Sequence, residues 1–155
     1  MRSHARLPGA CATTIKARCC AAALRGNRRQ GGLGMAGKVL VNLTTGMEDG
    51  EKVTVAFLVA GAALERGSAV AMFLTKEAVR LAVPGTAEGT FCEGCPPLER
   101  IFDQFVQGGG ELLACPFCVN SRKLDADGFV ANARVAGATP MFEWLGDEPG
   151  TVFSY

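Results

Sequence analysis

Four cysteines form two pairs of identical spacing, Cys92-Glu-Gly-Cys95 and Cys115-Pro-Phe-Cys118. A thiolate is a nucleophile, and two thiols at this spacing can close a disulfide or pass sulfur from one to the other. In a reducing compartment such pairs are more often catalytic, redox-active or metal-binding than structural. The pairs therefore predict thiol chemistry. Arg122, four residues after Cys118, is expected to support the thiolate if the intervening turn is helical.

A zinc site is the alternative for the same cysteines. Nineteen residues separate the pairs, and this spacing fits four thiolate ligands, Cys92, Cys95, Cys115 and Cys118. The intervening residues have the pattern of an amphipathic helix and a core strand, whereas a zinc ribbon would need short hairpins. A simpler possibility is that the cysteines are inert buried residues. Thiol chemistry at these cysteines requires no cofactor, whereas the metal-site alternative requires zinc.

The charge balance and the histidine content argue against several classes of function. Residues 37–155 carry nine Lys/Arg against fifteen Asp/Glu, which argues against phosphate-backbone binding and hence against a nucleic-acid partner. The only histidine, His4, lies before this region, so histidine-based catalysis or metal ligation is not expected there. No apolar run is long enough for a membrane span. These features predict a cytoplasmic protein.

Residues 1–36 differ in composition from the rest of the chain. They contain seven Lys/Arg and no Asp/Glu, and they lack a hydrophobic periodicity that could pack on a core. Two interpretations are open: an organelle transit peptide, which would place the protein in an organelle matrix, or a translation start at Met35 that makes the extension an artefact. We expect residues 1–36 to be a disordered or wrongly assigned extension and residues 37–155 to form one domain.

The elements that position the cysteines alternate between strands and helices. Apolar runs predict three strands, and helical spacing of apolar residues predicts three helices between and beside them. The strands are Lys38–Leu43, Ala69–Leu74 and Glu111–Ala114, and the helices are Lys52–Arg66, Lys76–Ala82 and Leu98–Gln107. This order is typical of right-handed parallel crossovers in an α/β fold. The second cysteine pair then follows a strand at its carboxyl end, where open parallel sheets carry their active sites.

Weaker patterns continue to the end of the sequence. They predict a helix around Leu124–Ala133, an extended segment near Val135, a brief helix at Pro140–Leu145 and a final strand at Thr151–Tyr155.

Several of these segments together resemble the DsrE/DsrF-like family, whose fold is also named after YchN. The similarity covers roughly Lys38 to Tyr155. It rests on the first strand with its acidic turn, on the Thr75-Lys76 step after the second strand, and on the Cys-x-x-Cys-x-x-x-Arg sequence that follows the third. Gly-Ala-Thr-Pro at 137–140 and the ending Thr-Val-Phe-Ser-Tyr add to it.

The resemblance implies a three-layer α/β fold, with a mainly parallel sheet of about five strands and helices on both faces. It also implies a homotrimer or hexamer, and a sulfur relay in which a cysteine carries a persulfide between donor and acceptor proteins. By position, Cys115 and Cys118 correspond to the family's cysteines and Arg122 to its basic residue, although which thiol carries sulfur stays open. Cys92 and Cys95 depart from the family pattern, and we expect them to be secondary acceptors.

Overall fold

The computed structural model describes residues 37–147 and 149–155. The predicted extension, residues 1–36, lies outside the described residues.

The described residues form a five-stranded sheet in which every pairing is parallel. The strands are β1 (Lys38–Leu43), β2 (Ala69–Leu74), β3 (Glu111–Ala114), β4 (Ala133–Val135) and β5 (Gly150–Ser154), arranged in the order β4-β3-β2-β1-β5. The three central strands are nearly continuous apolar runs, as expected of parallel strands buried on both faces. The predicted α/β class and parallel sheet are confirmed.

Within residues 37–147 and 149–155, four α-helices connect or flank these strands: α1 (Gly50–Glu65), α2 (Leu98–Gln107), α3 (Pro116–Ser121) and α4 (Ala138–Leu145). The same part of the chain contains three 3-10 helices, Met47–Asp49, Lys76–Ala82 and Ala126–Gly128. The Asp49 side chain caps α1 by accepting a hydrogen bond from the backbone N–H of Lys52 at 3.0 Å. Within the described residues, no helix combines the length and the apolar character needed to cross a bilayer.

The main core lies between one face of the sheet and the helices α1 and α2. The apolar stripe of α2 is fully or almost fully buried, and its Phe105 meets Phe57 of α1 edge to face with ring centroids 5.4 Å apart. The ring of Phe102 also packs on Phe57, with ring centroids 5.3 Å apart. Burying one such side chain contributes about 1.5–3 kcal/mol, so this aromatic cluster fixes α2 on α1.

The opposite face of the sheet is covered by α4. Leu40, Ala71 and Leu113 pack there against helix residues that include Trp144. Trp144 donates its indole N–H to the Glu111 carboxylate at 3.0 Å, which joins the helix to β3. The fold therefore has three layers with helices on both faces, as predicted.

One predicted helix is wrong. Within residues 124–133 the only helical residues are the short 3-10 turn Ala126–Gly128, and α3 comes earlier, starting at Pro116. Lys123 has a left-handed φ of +52°, which ends the helical path, and the Asp125 side chain caps the following turn. Because α3 starts before Cys118, this cysteine lies inside the helix, whereas the sequence placed the helix after it.

Further elements differ in helix type or in bounds. The helix predicted at Lys76–Ala82 has those bounds but is a 3-10 helix, the helix predicted at Lys52–Arg66 spans Gly50–Glu65, and the helix predicted from Pro140 starts at Ala138. The predicted strand near Val135 and the predicted final strand are present as β4 and β5.

Candidate functional site

Three neighbouring strands end together at one rim of the sheet. The N–H of Thr75 donates to the carbonyl of Leu43 at 3.0 Å, and the N–H of Cys115 donates to the carbonyl of Leu74 at 2.9 Å. The residues that follow β1, β2 and β3 are therefore held side by side, in continuation of the parallel register. Ligand and active sites of open parallel sheets lie at this carboxyl rim.

The Cys115–Cys118 pair stands at this rim on the first turn of α3. Cys115 is the residue before the helix, and its carbonyl accepts the N–H of Val119 at 3.0 Å. Val119 is buried and anchors the helix in the main core. Both cysteines are free thiols with intermediate exposure, and Phe117 between them is 84 % exposed. The pair is thus fixed by its surroundings yet open to a reacting molecule.

The sulfur of Cys118 accepts a backbone hydrogen bond. The N–H of Lys76 lies 3.1 Å from Sγ. Lys76 has a φ of +49°, a left-handed conformation that is uncommon for residues other than glycine. Strained residues of this kind occur where the surrounding structure enforces them, often at functional sites. A donor aimed at sulfur stabilises negative charge there, because hydrogen bonds to ionised acceptors are stronger than those to neutral ones.

Arg122 reaches the same turn, and its hydrogen bonds go to Glu77, to Ser121 and to the carbonyl of Cys118. Its Nε donates to a carboxylate oxygen of Glu77 at 2.8 Å, its Nη2 lies 2.7 Å from that oxygen, and its Nη1 donates to the carbonyl of Cys118 at 3.3 Å. The other carboxylate oxygen of Glu77 accepts from Arg80 at 2.8 Å. The hydrogen bonds from Arg80 and Arg122 lower the pKa of Glu77 below its ordinary value. Arg122 is therefore close to Cys118, as predicted, but its charge is paired with Glu77.

Cys92 and Cys95 are joined in a disulfide with a Cα–Cα distance of 5.3 Å. Their loop is tied to the start of α2, because the N–H of Leu98 donates to the carbonyl of Gly89 at 2.8 Å. Glu99 accepts the N–H of Gly89 at 2.7 Å. In this state neither sulfur is a free thiol, and the role of Cys92 and Cys95 as secondary acceptors stays a prediction.

The two cysteine pairs do not form one cluster. Across residues 37–147 and 149–155, no group of three or more His, Cys, Asp or Glu side chains is arranged to hold a metal ion. The structure thus does not assemble the four-thiolate site of the alternative hypothesis from Cys92, Cys95, Cys115 and Cys118, and two of those sulfurs are bonded to each other. Zinc binding by this chain stays a prediction.

Lys76 and Glu77 are the site residues that the sequence did not single out for chemistry. Neither belongs to a catalytic motif, and the contact of Lys76 with Cys118 spans 42 positions. The available signal was their place directly after a buried strand, at the rim that also holds the cysteines.

Comparison with known proteins agrees with this architecture. The model of the DsrE/DsrF-like family matches residues 37–149. The chain therefore belongs to the DsrE/DsrF-like family, which associates it with sulfur relay in general.

Among solved structures, the crystal structure of the ychN protein from E. coli is similar to this chain. The TM-score is 0.63, the sequence identity is 13 %, and the alignment covers 77 % of this chain and 99 % of that one. At this identity the likeness shows the fold, and the predicted YchN-like fold is confirmed. The comparison with curated proteins gives no match.

Proposed function

We propose that this protein carries sulfur as a persulfide on Cys118, with Cys115 as the thiol that resolves it. Membership of the DsrE/DsrF-like family supports sulfur relay in general. The observation that supports Cys118 as the carrier is the backbone N–H of Lys76 at 3.1 Å from its Sγ. The side chain of Cys115, which precedes the same helix, makes no capping hydrogen bond to it.

Loading requires a donor persulfide. The Cys118 thiolate attacks the outer sulfur of the donor R–S–SH, a new S–S bond forms, and the donor leaves as a thiolate that takes up a proton. The carrier then holds Cys118–S–SH. The donated hydrogen bond from Lys76 supports the negative charge on the Cys118 sulfur before attack, and the partial exposure of that side chain gives the donor access.

Delivery follows one of two balanced routes. A nucleophile on an acceptor protein attacks the outer sulfur, and Cys118 departs as a thiolate. Alternatively, the Cys115 thiol attacks the inner sulfur, which yields a Cys115–Cys118 disulfide and hydrosulfide; the sulfane sulfur is then reduced by two electrons and the two thiols are oxidised. The first route conserves the sulfane sulfur and is the relay we propose. The second route removes sulfur from a carrier that meets no acceptor protein and releases it as hydrosulfide.

The proposal extends to partners and location. Sulfur donor and acceptor proteins are required by the chemistry, and we propose the homotrimer or hexamer and the cytoplasmic setting that the family resemblance and the composition suggest.

The test is loading with polysulfide followed by persulfide-selective labelling and peptide mapping. We expect sulfane sulfur on the peptide that contains Cys118. Cys118→Ser should abolish this label, whereas the matched Cys115→Ser variant should keep it and hold it longer, because the resolving thiol is gone. The proposal is rejected if neither thiol of the pair takes up sulfur, or if Cys118→Ser loads as well as the unaltered chain.

A further inference from the structure

The segment from Thr75 to Arg80 and the helix that carries Cys118 are joined by a closed ring of contacts. The N–H of Lys76 meets Cys118 Sγ at 3.1 Å, and the carbonyl of Cys118 accepts Nη1 of Arg122 at 3.3 Å. Arg122 then holds Glu77 with Nε and Nη2. Glu77 is bonded covalently to Lys76, which completes the ring. The Arg122 side chain thus connects the two residues of the hydrogen bond at sulfur: it binds Cys118 directly at the carbonyl, and it binds Lys76 through the neighbouring Glu77.

The backbone of Lys76 requires such a support. An L-residue in the left-handed region is less stable than in the helical or extended regions, so an unrestrained Lys76 would leave this conformation and turn its N–H away from the sulfur. The Arg122 guanidinium is well suited to resist this, because its side chain is only 19 % exposed and it grips Glu77 with two nitrogens. Arg80 holds the second oxygen of Glu77 from the solvent side, with an exposed side chain.

We infer that Glu77 is a positioning residue for the Cys118 thiol, acting through Arg122 and through the backbone of Lys76. It touches no reacting atom. Its carboxylate keeps the turn in place, so that a main-chain N–H points at the sulfur that attacks the donor. The relevance of this role to sulfur transfer rests on the proposed function, whereas the effect on the thiol itself does not.

A purely electrostatic role of Glu77 and a positioning role predict opposite changes in the thiolate fraction of Cys118 when Glu77 is removed. The charged side chains linked to Cys118 are Arg122, which donates to its carbonyl, and Glu77, which is paired with Arg122, whereas Lys76 meets the sulfur through its backbone N–H. If Glu77 acted only through its charge, its loss would remove a nearby anion and free Arg122, and both changes favour a thiolate. If Glu77 positions the turn, its loss withdraws the N–H from sulfur and disfavours the thiolate. The direction of the change therefore separates the two roles.

The experiment measures the pH dependence of iodoacetamide alkylation at Cys118 in the full-length chain, by mass spectrometry with fragmentation that separates Cys118 from Cys115 on the same peptide. We expect Glu77→Ala to raise the pH midpoint by about one unit, the effect of losing one hydrogen bond to an ionised sulfur. Glu77→Gln, which keeps one acceptor oxygen for Arg122, should shift it less. The matched control Arg80→Ala removes the exposed partner of the same carboxylate and should change the midpoint by no more than about 0.2 units, because exposed charges are screened.

Amide hydrogen exchange of Lys76 gives a second readout that does not depend on thiol reactivity. Protection of this N–H should persist in Arg80→Ala and be lost in Glu77→Ala, while the amides of the central strands stay protected in both and report an intact fold. A midpoint that falls or stays fixed in Glu77→Ala, or retained protection of the Lys76 amide, would overturn the inference. A failure of the proposed function looks different, since Cys118 would then take up no sulfur at all while the midpoint still rises in Glu77→Ala.

Discussion

Replacing Gly46 with alanine places a methyl group against the backbone of the turn that faces Cys118. A Cβ built on Gly46 would lie 2.7 Å from the carbonyl oxygen of Glu77 and 2.9 Å from its carbonyl carbon. These atoms are main chain and cannot rotate away, so either the loop after β1 or the Lys76–Glu77 turn must move. Overpacking of this kind costs about 1–3 kcal/mol, whereas the reduced freedom of the unfolded chain returns about 0.4–1 kcal/mol. The clash dominates, and we expect a net destabilisation of about 1–2 kcal/mol.

Urea denaturation measures this change. With a slope of roughly 1–3 kcal/mol/M, the midpoint of Gly46→Ala should fall by roughly 0.5–1 M. Alkylation of Cys118 should also be altered in this variant, because the displaced turn carries the N–H that donates to its sulfur.

Gly61 provides a control with the same chemical change. It lies within α1, and a Cβ built there meets nothing within 4 Å. Gly61→Ala should therefore stabilise the protein by about 0.5–1 kcal/mol, through helix propensity alone, and leave Cys118 unaffected. If the midpoint of Gly46→Ala rises as that of Gly61→Ala does, or stays unchanged, the close approach of Gly46 to the Glu77 backbone has no net energetic cost and the reasoning fails.

Three more outcomes can be checked. The pKa of Glu77 is lowered in the folded state, first by the hydrogen bond from Arg80 and then by that from Arg122. The stability difference between the unaltered chain and Glu77→Gln should therefore be complete above pH 4.5 and shrink as the pH falls below it. Urea titrations at several pH values test the direction of this change. Phe105→Ala removes a fully buried ring and should lower the free energy of unfolding by about 3–5 kcal/mol in the same assay. Metal analysis of protein purified without chelator should give no stoichiometric zinc while the Cys92–Cys95 disulfide is intact, and about one zinc per chain would instead favour the four-thiolate alternative.

The bounds of the first three strands and of α2 could be predicted from the local pattern of apolar residues. The first three strands have the predicted bounds because each is a short apolar run between turn signals, and α2 has its predicted bounds because its apolar stripe has helical period. The helix predicted around Leu124–Ala133 does not form, because the Asp125 side chain accepts the N–H of Asp127 and caps a short 3-10 turn there. Local propensity was overridden there by side-chain hydrogen bonds to the backbone.

Only part of the candidate site could be predicted from the sequence. Cys118 and Arg122 could be related because four residues of helix separate them, but the partner of Arg122 lies 45 positions away at Glu77. Nor could spacing distinguish the two cysteine pairs, which are identical in pattern. The first pair lies in an irregular loop where Gly94, with a φ of +78°, lets the chain turn back on itself, and the second lies on a helix.

The pairing of β5 with β1 has a consequence for how the chain reaches its native state. Asn42 and Ser154 are partners although 112 positions separate them, so this pairing forms only after almost the whole domain has been synthesised. Until then the outer side of β1 presents a row of unsatisfied peptide groups, to which a strand from another chain can add. Folding should therefore be slow for a protein of this size, and fragments that stop before Gly150 should aggregate.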